Sequence, residues 1–214
     1  MTKRMLLLLY FCAWGIAGAS AQNFNHFNFN VGGGYGGATG DVGKLTGASY
    51  NGVVGGGWNF SRRVGVKAEY MYYNLSFKDS VKLDQVPGAN GRLQSATLNL
   101  FYQVSQQGKT GVYVIGGGGW YQRYVDARSQ FLPQGTVCQP AWQLWGIDCT
   151  TSNLVDPAQT LTSHSASGGG YNFGGGITYR ITKRMRFYVE GRYHHAYTAD
   201  LHTSVFPVTA GLRW

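Results

Sequence analysis

An all-β fold is predicted, an eight-stranded antiparallel transmembrane β-barrel in up-and-down meander order, and three observations on the 214-residue chain predict it. Apolar positions alternate with polar or glycine positions at period two in one segment after another. Composition is skewed to 33 Gly and to 15 Tyr, 11 Phe and 6 Trp, a pairing that suits strands and turns. The connections between alternating segments are short and long by turns, the rhythm of a barrel with tight turns in the periplasm and loops outside.

Residues 1–21 read as a separate, cleaved signal peptide. Lys3 and Arg4 form a positive start, Met5 to Gly18 is an unbroken apolar run, and Ala19-Ser20-Ala21 supplies a small-x-small cleavage site. An uncleaved anchor is disfavoured because the run is short for a bilayer-spanning helix. Cys12 lies within the run without the small residues of a lipoprotein signal before it, so it is expected to be lost. Residues 22–214 then form one barrel domain. Loss of Lys3 and Arg4 lowers the formal charge from +9 to +7. A basic exported protein is not expected to meet nucleic acid; its charge concerns anionic head groups or an internal network. Cys138 and Cys149 remain, and in an oxidising compartment the simplest expectation is a disulfide worth about 3 kcal/mol.

The strands follow in order. In the first, Phe27, Phe29, Val31, Gly33 and Tyr35 oppose Asn28, Asn30, Gly32 and Gly34. In 50–60, Tyr50, Val54, Trp58 and Phe60 oppose Asn51, Val53, Gly55, Gly57 and Asn59. Segment 64–78 is third, and in the fourth, 94–104, Ala96, Leu98, Leu100, Tyr102 and Val104 oppose Ser95, Thr97, Asn99 and Gln103. Segments 111–127, 167–181, 185–198 and 203–214 complete the eight. Residues 61–63, 105–109 and 182–184 are tight turns, whereas 36–49, 79–92 and above all 128–166 are long. No segment after residue 22 reads as a long amphipathic helix, and none has the 18 or more apolar residues of a membrane helix.

The stretch NVGGGYGGATG invites another reading, because Gly32, Gly34 and Gly37 fit the spacing of a dinucleotide-binding loop. That loop needs a helix opening on it and an acidic residue about 20 positions on. Asp41 to Lys44 has no helical period and no acid lies near position 57, so Gly32 and Gly34 are read as inward strand positions that leave room for long charged side chains.

Two faces emerge from the alternation. One carries Phe29, Val54, Trp58, Val66, Tyr70, Leu98, Leu100, Val114, Phe173, Ile177, Tyr179, Phe187, Val189 and Leu212, an apolar band with aromatic girdles. The other carries Lys67, Glu69, Arg123, Arg180, Arg186, Glu190 and Arg192. Charges facing lipid would cost several kcal/mol in all, so these point inward. An eight-stranded barrel is just wide enough for side chains to fill it, and the expectation is an ionic plug of Lys67, Glu69, Arg123, Arg180, Glu190 and Arg192. A gate or proton path is the alternative; pairing comes first because buried charges must be paired in any case.

With the opening strand FNFNVGGGYGG, the short-long rhythm and the ending VFPVTAGLRW, the mature chain resembles the small OmpA/OmpX-like outer-membrane β-barrel family. In that ending Phe206, Val208, Ala210, Leu212 and Trp214 share a face and the last residue is aromatic, similar to the C-terminal signal read by the barrel-assembly machinery, although Trp stands where the family usually has Phe. The resemblance implies an integral outer-membrane protein of a Gram-negative-type cell, with both termini periplasmic, contacting lipid and lipopolysaccharide.

For chemistry, His202 and Ser204 share a face, and a His-x-Ser pair with a carboxylate can act on acyl chains. No acid follows Ser204 and Asp200 lies in a turn, so no catalytic residue is assigned. His194 and His195 point to opposite faces, which argues against a metal site; no cofactor is expected. Phe131, Trp142 and Trp145 in the 128–166 loop make it the candidate partner site, unless those rings fold over the mouth or into the head groups. The expected role is a non-catalytic, monomeric surface scaffold. Its alternatives are a narrow or gated channel and a lipid-modifying enzyme.

Overall fold

Eight long strands close on themselves in the computed structural model, which describes residues 26–76, 78, 90–126, 136–141, 146–151, 163–198 and 201–214. They are β1 (Phe27–Thr39), β2 (Ser49–Asn59), β3 (Val64–Ser76), β4 (Asn90–Gln107), β5 (Thr110–Asp126), β8 (Ser163–Arg180), β9 (Arg186–Thr198) and β10 (Leu201–Arg213). Every neighbour in sequence is an antiparallel neighbour in space, and β1 pairs with β10 to seal the barrel. The seal ends on a reciprocal backbone pair between Phe29 and Trp214, at 2.8 and 3.0 Å. All eight predicted strands are present.

Three local features depart from the sequence reading. The segment after β1 forms a one-and-a-half-turn helix, α1 (Gly40–Leu45), where no helical period was legible. Tertiary contact makes it: Val42 is 3% exposed in the barrel mouth, and Thr46 closes the turn by donating from both N and Oγ1 to the Val42 carbonyl. Residues 105–107 belong to β4 after an irregularity between Gln103 and Ser105, so the turn is only Gly108-Lys109, with Gly108 at φ 59° as a two-residue hairpin requires. Inside the long 128–166 connection two further strands, β6 (Thr136–Ala141) and β7 (Gly146–Thr151), pair as a separate hairpin.

The other two turns at this end use a shared device. Ser61 Oγ accepts from the backbone of Arg63 and Val64, and Thr182 Oγ1 accepts from Arg184 and Met185, hydroxyls standing in for backbone acceptors.

The outer surface is apolar and banded. Leu98, Leu100, Ile177 and Phe173 are more than half exposed along its middle. Towards the short-turn end stand Phe27, Trp58, Tyr179, Phe187 and Trp214, and towards the other Tyr35, Tyr50, Trp120, Tyr171 and Tyr197, all at least 40% exposed. An exposed apolar belt between aromatic rings is stable only against lipid.

Candidate functional site

The lumen is filled in three layers. At mid-height Glu69 is 5% exposed and accepts from Arg192 Nη1 at 2.7 Å, Asn99 at 2.8 Å and Asn30 at 3.0 Å. The other guanidinium nitrogen of Arg192 binds Glu190, which also accepts from the Tyr113 hydroxyl at 2.8 Å. Asn172 extends the network by donating to Asn99 at 2.8 Å. Six strands thus contribute to one network around the Arg192 fork, and its two carboxylates each take at least one further donor. This is the degree of satisfaction that keeps charges in a low-dielectric space.

Above the network, towards the long-loop end, the lumen turns apolar. Met71, Tyr73, Leu75, Leu93, Tyr121, Ala196 and Val205 pack together with Val42 of α1 across the mouth. Below the network Arg213 lies over the rings of Phe101, Tyr113 and Tyr188 at 4.9, 4.6 and 5.1 Å, and Lys67 over Phe101 at 5.1 Å.

The residues expected to form one ionic cluster are therefore divided. Glu69 and Glu190 both touch Arg192. Lys67 is buried beneath them on an aromatic ring. Arg123 sits towards the other end, where Nη1 approaches Thr198 and Thr203 at 3.3 and 3.4 Å. Arg180 faces inward but is half-buried at the last rung beside the β8–β9 turn, paired in register with Arg186. Parity placed these side chains on the inner face; which of them meet depends on height along the barrel, which parity does not encode. Sequence reasoning missed Tyr113, Asn30, Asn99 and Arg213, all inward by the same alternation.

Glycine supplies the width, though not always for charge. A Cβ at Gly55 would lie 2.5 Å from Glu69 Cγ, and one at Gly57 2.8 Å from Lys67 Cγ. At Gly32 the space belongs to the Tyr188 hydroxyl, 2.4 Å from such a Cβ, and at Gly34 to the β10 backbone and Asn51. The room expected there for charged side chains is taken by a tyrosine and by main chain.

On the outer surface near the long-loop end, register rather than spacing decides the histidine–serine pairing. Ser204 stands opposite His195, not His202, and its Oγ lies 2.7 Å from His195 Nδ1 and accepts from Tyr193 at 2.9 Å. His202 stacks on the His195 ring at 5.4 Å. No carboxylate is seen in contact with His195 among the described residues. His194 points the other way and is buried, 3.1 Å from the Tyr121 hydroxyl.

In the hairpin, Cys138 of β6 and Cys149 of β7 are directly opposed. Phe131, Trp142, Trp145 and the signal-peptide segment lie outside the described residues. Phe206, Val208 and Trp214 are each close to half exposed on the outer face, and Leu212 is partly exposed on the same face.

Comparison with known proteins agrees with this architecture. Neisserial surface protein A aligns over 88% of this chain and 96% of its own, with a TM-score of 0.61 at 12% identity. A major outer membrane protein of Thermus thermophilus aligns over 89% of this chain and 99% of its own, with a TM-score of 0.50 at 9% identity. No curated protein matches at the level of sequence. The outer membrane protein beta-barrel domain matches residues 6–213, nearly the whole chain, and with eight closed strands and a lipid-facing belt already in place, the chain belongs to that family of outer-membrane barrels.

Proposed function

We propose that this protein is a non-catalytic outer-membrane scaffold, its short turns and both termini in the periplasm, that presents the 128–166 connection to an extracellular partner. The observation that carries the reading is the length of the β5–β8 ladder. Those strands have 17 and 18 residues, against the 9–11 needed to cross a bilayer, and stay paired to Asp126 and Ser163. On its other side the β8 pairing with β9 stops at Gly170. The surplus length extends the paired barrel wall as a base for the connection that contains the β6–β7 hairpin. Loops held by a stiff scaffold are where such proteins carry function.

Directly opposed antiparallel residues have Cα atoms about 4.5–5.5 Å apart, within the span of a disulfide. Cys138 and Cys149 in the exported, folded protein are therefore expected to resist alkylation until reduced. Labelling of both in the native protein removes the staple from this proposal. The partner itself is sought by comparing what intact protein and a form lacking residues 129–165 retain from surface extracts. Equal capture by the two sinks the loop reading.

A channel is disfavoured by the contents of the lumen, ionic at mid-height and apolar at the mouth. Planar bilayers are expected to stay silent for the wild type and for Tyr73→Ala with Leu75→Ala, because the ionic layer beneath the apolar one remains. Stepwise currents in the wild type would reinstate the channel. Catalysis is set aside because the Ser204–His195 pair lacks a carboxylate to orient it among the described residues.

A further inference from the structure

The short-turn end of the lumen carries an excess of positive charge that no side-chain carboxylate at that end balances among the described residues. Register places Arg180 beside Arg186 and Arg186 beside Arg213, three arginines on consecutive strands, all on the inner face. Like charges directly opposite one another on a sheet repel. Lys67 lies just inside, sharing the Phe101 ring with Arg213. The two lumenal carboxylates, Glu69 and Glu190, are both engaged by Arg192.

Hydrogen bonding tells the same story from a second direction. Among the described residues, Lys67 Nζ and Arg213 Nε and Nη2 are buried without a hydrogen-bond partner. Lys67 is 1% exposed and Arg213 7%. Contact with ring faces offsets only part of the desolvation of such groups. Arg180 and Arg186, half-buried, lead from these atoms to the open rim. The exposed turns there are basic as well, with Arg62, Arg63, Lys109, Lys183 and Arg184. By sequence, none of the other acids, Asp41, Asp79, Asp84, Asp126, Asp148, Asp156 and Asp200, lies in or beside a short turn.

We infer that Arg180, Arg186, Arg213 and Lys67 form a binding site for a phosphate group entering the lumen from the short-turn end. Guanidinium forks match the paired oxygens of a phosphate, and a lysine adds a point charge. Water can satisfy the donors but leaves the charge, so an oxyanion is the better occupant. The phosphate can be inorganic or that of an anionic phospholipid in the leaflet around the mouth. The periplasmic address alone rests on the orientation proposed above; binding does not.

The test uses full-length mature protein refolded in non-ionic micelles, with inorganic phosphate as the probe. Thermal unfolding is followed by loss of the compact form on gels, with chloride at equal ionic strength as reference. Phosphate is expected to raise the midpoint saturably, as a ligand of the folded state does, and chloride to leave it unchanged. Arg180→Gln with Arg186→Gln, at half-buried positions outside the ionic network, is expected to weaken half-saturation about tenfold, the loss of roughly 1.4 kcal/mol of binding. Lys67→Met should abolish the response; should that variant not fold, the rim pair decides. No phosphate-dependent shift, a shift matched by chloride, or one untouched in the rim variant overturns the site. In nanodiscs, a response that vanishes when phosphatidylglycerol is included identifies the head group as occupant, and one that persists identifies free phosphate. A loop that captures no partner leaves these outcomes unaffected.

Discussion

Arg192→Met is expected to be the most damaging single side-chain exchange in the barrel, lowering stability by roughly 3–5 kcal/mol in equilibrium urea unfolding. The reason is arithmetic of charge. Arg192 is the cation that touches both Glu69, at 2.7 Å, and Glu190, and both carboxylates are about 5% exposed. Its removal leaves two buried anions that hydrogen bonds from Asn30, Asn99 and Tyr113 soften without neutralising. The triple variant Arg192→Met, Glu69→Gln, Glu190→Gln carries no stranded charge and is expected to recover most of the loss. If the single and triple variants are equally unstable, the network acts by packing and not by charge.

How much of this site was legible depends on which signal each part leaves in the sequence. Alternation separates the two faces of a strand without reference to anything else, so Lys67, Glu69, Glu190 and Arg192 were placed inward from the cost of charge in lipid alone. The same row of β3 continues through Met71, Tyr73 and Leu75, all buried in the mouth. The apolar cap was therefore written in the alternation, but apolar residues look plausible on either face and raise no alarm. Relative height was not legible, since a tilted barrel staggers its strands by amounts only the register fixes. Arg180 was consequently grouped with Arg192, although its rung is the last before the β8–β9 turn. Ser204 was matched with His202 through spacing when the contact runs across the ladder to His195. Helix α1 left no period to read because six residues are too few to show one, and burial of Val42 decides its form.

Gly117→Val is expected to prevent barrel closure altogether, while Gly52→Val leaves it intact. Both glycines stand in strands of the closed sheet, yet they face different surroundings. A Cβ at Gly117 would lie 2.0 Å from the Leu98 carbonyl oxygen and 2.7 Å from Asn99 Cα, atoms of a paired main chain that cannot give way without breaking the β4–β5 ladder. It would also come within 2.6 Å of Asn99 Oδ1, the acceptor that joins Asn172 to the ionic layer. At Gly52 nothing lies within 4 Å of the same atom, because that position opens onto the outer surface. Over-packing a core commonly costs about 1–3 kcal/mol, but here the obstacle is backbone in a narrow tube, and relief of the clash means parting two strands. The expected readout is complete loss of heat-modifiable migration for Gly117→Val and unchanged migration for Gly52→Val. Glycine's strong presence in this chain would then have two sources, one set by the width of the lumen and one by the tolerance of a lipid-facing strand. A folded Gly117→Val barrel would mean that the inward glycines are not what sets the spacing of the wall.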